Sequence, residues 1–147
     1  MPHIEQRVVL ARTPDEIWAF TLNGFNSPRW FRGMLGARWM SGAPPGPDAT
    51  FQARMIVLGL ETRLECHVTE WQPARALGYT IKGRPFRSAF RRVTLVPTQG
   101  GTEFRAVTEF ELRLALKPIW PIVAPIMRRN WDANTRRLRD LMEAEPR

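Results

Sequence analysis

The last segment of the chain, Lys117 to Glu143, most constrains its fold. It reads KPIWPIVAPIMRRNWDANTRRLRDLME. Met127, Trp131, Asn134, Leu138 and Leu141 recur at offsets of four, three, four and three, which puts them on one stripe of a helix. Arg128, Arg129, Asp132, Arg136, Arg139, Asp140 and Glu143 fall on the opposite face, so that face is solvated. From Pro125 to Glu143 the helical rise gives a rod of roughly 28 Å, about the width of a small domain. Pro118, Pro121 and Pro125 make a regular helix over Lys117 to Ala124 unfavourable, because Pro121 and Pro125 each lack a donor. Either the helix is kinked there, or it starts near Pro125.

Almost everything before Lys117 patterns as strand. His3 to Ala11 alternates, with Ile4, Gln6, Val8 and Leu10 on one face. Thr13-Pro14-Asp15-Glu16 is a helix start: Thr13 as N-cap, Pro14 at the first helical position, Glu16 completing a capping box. Ser27-Pro28 repeats the signal for a second short helix with Trp30 and Phe31, ended by Gly33 and Gly36. Ala37 to Ser41 is a short strand, and Gly42 to Asp48 a loop. Phe51, Ala53, Met55 and Val57, then Leu60, Thr62, Leu64, Cys66 and Val68, form a half-buried antiparallel hairpin turned at Gly59. Ala76 to Lys82 is a strand, turned by Gly83-Arg84-Pro85. Phe86 to Val96 is another, with apolar and basic residues mixed on both faces. After Pro97 to Thr102, Phe104, Ala106, Thr108, Phe110, Leu112 and Leu114 share one face of the last strand. The order is strand, two short helices, a run of strands and a long helix. That is an α+β layout in which the helix folds back over an antiparallel sheet.

A chain of 147 residues suits one domain, 1–147, with enough apolar material for a core. One cysteine excludes an internal disulfide framework and fits a reducing cytoplasm, the expected compartment. No stretch approaches the length of a membrane span, and the N-terminus lacks a signal-peptide core. The net charge is +8 and all but two of the 22 basic residues are arginine. They are scattered and no nucleic-acid motif accompanies them, so no specific nucleic-acid partner is expected. The densest cluster, Lys82, Arg84, Arg87, Arg91 and Arg92, suggests peripheral contact with an anionic membrane or a protein.

Four stretches carry a resemblance: TPDEIW (Thr13 to Trp18), SPRWFRGM (Ser27 to Met34), VTEWQPARALGY (Val68 to Tyr79), and GGT (Gly100 to Thr102) with NWDANTRRLRDLME closing the chain. In this order and spacing they resemble the START-like (SRPBCC, helix-grip) superfamily, in its polyketide cyclase/dehydrase and lipid-transport branch. The resemblance implies a curved antiparallel sheet of about seven strands wrapped around the long C-terminal helix, with two short helices after the first strand. It also implies an apolar cavity between sheet and helix. Members bind lipids, polyketides or other apolar molecules; some cyclise or dehydrate a bound polyketide, and many only carry or sense. The fold alone does not choose among these.

On the sheet, the face assignments direct Phe51, Met55, Leu64, Tyr79, Thr108 and Phe110 at that cavity. Trp30 and Phe31 come from the short helices, and Met127, Trp131 and Asn134 from the long one. Core packing explains any single apolar position, whereas the set of aromatics and flexible methionines suits an irregular apolar ligand. Trp120 and Val123 belong to an apolar flap, Ile119 to Val123, expected to control ligand entry. Asn134 is polar on the apolar stripe and needs a partner: a ligand, the sheet or a water. Tyr79 and an inward arginine are the catalytic candidates. Alternation turns either Arg91 or Arg92 inward, where a guanidinium can hold a carboxylate, phosphate or enolate. His67 shares its face with Arg63 and Glu65 and is read as surface; Cys66 is a core thiol. Two histidines and one cysteine supply no metal cluster, so no metal and no cofactor are expected. The leading reading is carriage of a small hydrophobic molecule. The alternatives are a polyketide cyclase/aromatase or dehydratase, and a basic docking module.

Overall fold

The computed structural model describes residues 2–22, 27–31, 33–41, 46–57, 59–84 and 86–144. The elements are β1 (His3–Leu10), α1 (Pro14–Leu22), α2 (Ser27–Trp30), β2 (Met34–Ser41), β3 (Thr50–Val57), β4 (Leu60–Gln72), β5 (Ala76–Gly83), β6 (Phe86–Thr98), β7 (Gly101–Glu111) and α3 (Trp120–Ala144). The strands form one antiparallel sheet in the order β1-β7-β6-β5-β4-β3-β2. α3 lies across its apolar face. This is the helix-grip arrangement.

The period-two pattern sets the sheet. On β7 Thr102, Phe104, Ala106, Thr108 and Phe110 are buried, and on β4 Leu64, Cys66 and Val68. Leu64, Cys66, Phe104 and Ala106 share a core with Leu138 and Met142 of α3, and Phe110 shares one with Met127. Ile4, Leu10, Ile17, Phe104 and Leu138 are almost wholly withdrawn from water, which contributes about 1.5–3 kcal/mol each.

The capping box at α1 forms. Thr13 Oγ1 accepts the Glu16 amide at 3.2 Å, and its hydroxyl donates to Glu16 Oε1 at 3.1 Å. Arg12 then joins this end of α1 to the end of α3. Its Nε donates to the Met142 carbonyl at 2.8 Å, and Nη1 donates to Glu16 Oε2 at 2.9 Å. The hydroxyl of Thr102 donates to the Arg12 carbonyl at 2.8 Å, pinning the same corner to β7. At the turn between β4 and β5, Pro73 and Ala74 occupy the central positions and the Arg75 amide donates to the Gln72 carbonyl. Ala74 has φ 61°, as the third position of a type II turn requires.

Several expectations shift. The second short helix is one turn, Ser27–Trp30, and Phe31 lies beyond it. Gly36 does not end a helix but lies inside β2, which begins at Met34. Leu114 does not continue the inner face of β7: the strand stops at Glu111, and Leu114 opens a short 3-10 turn where it is 81% exposed. α3 starts five residues before Pro125. Pro121 falls in the first turn, where an N–H has no intrahelical partner to lose. Pro125 removes one bond, and the carbonyl it would have reached belongs to solvent-exposed Pro121. Gly42 to Pro45 of the expected loop, and Pro85 of the expected turn, lie outside the described residues.

Candidate functional site

A cavity of about 580 Å³ lies between sheet and helix. β3, β4 and β5 contribute Phe51, Met55, Leu64 and Tyr79; β7 contributes Thr108 and Phe110. Trp30 and Phe31 close the α2 end, and Met127 and Trp131 descend from α3. The aromatic members interlock edge to face. Phe31 and Trp131 are 5.5 Å apart between ring centroids, and Phe51 and Tyr79 5.1 Å. Solvent-exposed members of the wall, Arg38, Ile56, Gly59, Ile126 and Asn130, mark a rim between β2, the β3–β4 turn and α3.

Three expected ligand contacts are not in this wall. Asn134 is buried on α3, one turn beyond Trp131, among core residues. Trp120 and Val123 pack with Phe86 and Phe110 in a second apolar cluster. Position along the helix explains this: they share the buried face of α3 with Met127 but lie one to two turns nearer its start, as Asn134 lies one turn beyond Trp131. The segment expected as a flap is the first turn of α3 and its approach. Ile126 and Asn130, one to two turns later, supply the helical side of the rim.

The polar centre of the cavity is Arg91, 7% exposed. Its Nη1 donates to Gln6 Oε1 at 2.8 Å and to Thr108 Oγ1 at 3.0 Å. Gln6 Nε2 in turn donates to the Trp131 carbonyl at 3.0 Å, so the chain of bonds runs from sheet to helix. The Trp131 ring lies over the guanidinium, 5.7 Å from its centroid. Tyr79 is paired with Arg91 across β5 and β6. Burial pushes its phenol up to about 12, although the Arg91 charge and hydrogen bond pull the other way. Arg92 faces outward, with Nε donating to Glu70 Oε1 at 2.8 Å and holding that carboxyl below its usual value.

The choice between Arg91 and Arg92 depended on register. β6 pairs Ala89 with Ile81 but Phe86 with Gly83, so a shift lies between them. Phe86 and Ala89 are then both buried, three apart, and simple alternation fails. Gln6 lies on the apolar face of β1 and belongs to the site, a role the sequence reading missed. The signal was a polar residue flanked by Ile4 and Val8 at a period of two. The basic cluster also divides: Arg91 is inside, Arg92 pairs with Glu70 and Arg87 with Glu111, which leaves Lys82 and Arg84 exposed. His67 is exposed, 3.6 Å from Asp48. Burial pushes the Cys66 thiol up to about 12, which makes it inert. The described residues hold no group of metal-ligating side chains, and no helix among them is long and apolar enough to cross a membrane.

The fold recurs in solved structures of low sequence identity. A Thermus thermophilus protein superposes with a TM-score of 0.81 at 13% identity, over 97% of this chain and 98% of its own. A START superfamily protein from Mycobacterium smegmatis gives 0.78 at 14% identity, over 96% and 97%. The di-domain ARO/CYC of the steffimycin biosynthetic pathway gives 0.75 at 12% identity, over 96% of this chain and 50% of its own. No protein of curated function matches in sequence. The family model for polyketide cyclase / dehydrase and lipid transport proteins matches residues 1–143, and the chain belongs to that family.

Proposed function

We propose that the protein binds and carries a small hydrophobic molecule between its sheet and α3. One observation carries this reading: a cavity of about 580 Å³ walled by aromatic, aliphatic and methionine side chains. That volume is in the range of ligand sites. Core packing alone does not account for it, because protein interiors leave few voids larger than a water molecule. The ligand-contacting set is Trp30, Phe31, Phe51, Met55, Leu64, Tyr79, Thr108, Phe110, Met127 and Trp131. Peripheral contact with an anionic membrane is part of the reading. Ile119, just before α3, and Ile122 and Ile126 on its outer face are exposed, Ile126 at the rim, with exposed Arg128 and Arg129 following. The test is saturable uptake of a neutral fluorescent probe, N-phenylnaphthylamine, at one site. No uptake at any concentration removes the reading.

A second reading, cyclisation or dehydration of a bound polyketide, is favoured by one feature. Tyr79 and Arg91 converge on the same cavity from paired positions. A guanidinium there stabilises charge developing on a carbonyl oxygen, and the phenol can donate to it. Turnover of a poly-β-keto thioester mimic that is lost in Arg91→Met supports it. Binding of the mimic without turnover excludes it.

A further inference from the structure

We infer that the ligand of this cavity is an acidic amphiphile, an apolar body bearing one carboxylate, and that Arg91 is the residue that selects it. The inference rests on the binding role proposed above and assigns its ligand class.

The argument begins with charge. Arginine stays protonated in any protein environment. Arg91 is in the middle of β6, buried, with an indole ring over it. A buried cation is costly unless an anion or a full set of acceptors compensates. Among the described residues, the side chains that line the cavity include no aspartate or glutamate. Among the described residues Arg91 makes no ion pair, whereas the adjacent Arg92 has Glu70. What Arg91 has instead is neutral: Gln6 Oε1 and Thr108 Oγ1, both served from Nη1. Tyr79 adds a phenol oxygen. A guanidinium carries more donors than these bonds use, arranged as a fork that fits a carboxylate.

The neutral partners orient the group without neutralising it. Gln6 is itself fixed by its bond to the Trp131 carbonyl, so the carboxamide oxygen is presented to Arg91. Thr108 holds the same nitrogen from β7. The result is a preorganised cation facing an apolar chamber. A ligand carboxylate placed there supplies the missing counterion, and the aromatic wall takes its apolar body. The rim carries exposed Arg38 and Asn130 beside apolar Ile56 and Ile126; Arg91 is the buried cation of the wall, so the acid is innermost and the tail runs toward Ile56 and Ile126. A neutral amphiphile of the same length gains the apolar contacts only.

The experiment compares dodecanoic acid, dodecanol and methyl dodecanoate as displacers of N-phenylnaphthylamine at pH 7.5. In the wild-type protein the acid displaces the probe at least about tenfold more tightly than the alcohol or ester, the size expected of one charge-assisted pair. In Arg91→Met the ratio of acid to alcohol affinity falls to about one. In Arg91→Lys, which retains the charge, part of the preference returns. Equal affinities for acid and alcohol in the wild type overturn the inference and leave the cavity-binding role intact. So does an acid preference that survives in Arg91→Met. Failure of the probe itself to bind removes both. The wild-type comparison decides the ligand class even where Arg91→Met does not fold, and Arg91→Lys then tests the residue: an unaltered acid preference in a folded Arg91→Lys protein overturns the role of its planar fork.

Discussion

At the scale of single residues, Tyr79 reports on the site directly. It is the only tyrosine, so its ultraviolet absorbance titration is unambiguous. In the folded protein the phenol is pushed up to about 12, chiefly by burial. Unfolded tyrosine ionises near 10. Between these values the unfolded chain loses its proton and the folded one keeps it. Stability is therefore unaffected below about pH 10 and falls as pH rises toward 12. The expected titration is a phenolate signal delayed by more than one pH unit relative to denatured protein; coincident curves contradict the burial of this group. Cys66 gives a parallel result: the native thiol resists a disulfide reagent at pH 8, and denatured protein reacts at once. Residue identity was legible in the sequence for most of the cavity wall, because inward positions on β3, β4 and β7 follow strict alternation. It was not legible at Arg91, where the shift between Phe86 and Ala89 breaks the alternation. Nor was it legible at Asn134 or Trp120, where a helical stripe shows which face is buried but not how far along it the cavity extends.

At the scale of elements, the ends of the helices and strands carry the testable energetics. Thr13 caps α1 and engages Glu16 from both its oxygen and its proton. Thr13→Ala costs about 1 kcal/mol in urea unfolding. Gly101 opens β7 at φ 140°, and a Cβ there would overlap the Leu10 carbonyl oxygen and its neighbouring backbone. Neither strand can yield without breaking the β1–β7 ladder, so Gly101→Ala costs about 2 kcal/mol or more. Pro125 has the opposite sign. Its ring denies the helix one hydrogen bond at an exposed position, and Pro125→Ala restores it, for a gain of about 1–3 kcal/mol. An unchanged midpoint in that variant contradicts a continuous helix through 125. The capping box of α1 could be read from the sequence because its signals are local. The start of α3 could not, because three prolines in eight residues discourage a helix unless two are seen to fall outside it or in its first turn.

At the scale of the whole molecule, the sheet and α3 do not close completely on each other. α3 is anchored at its end by Arg12 and the core around Leu138 and Met142, and near its start by Trp120 against Phe86 and Phe110. Between these anchors Trp131 bridges to the Gln6–Arg91 pair rather than filling the space. The order of elements along the chain was enough to indicate this architecture, since a long amphipathic helix after a run of strands has one apolar face to cover. The size of the gap was not, because it depends on how side chains from seven strands meet. The central claim, that this gap is a ligand chamber, is tested most directly by titrating the wild-type protein with N-phenylnaphthylamine, beside an Ala37→Trp variant that narrows the wall. Saturable one-to-one enhancement in the wild type, reduced at least about tenfold in a folded Ala37→Trp protein, is the predicted result. Absence of saturable enhancement in the wild type, or equal enhancement in both, contradicts it.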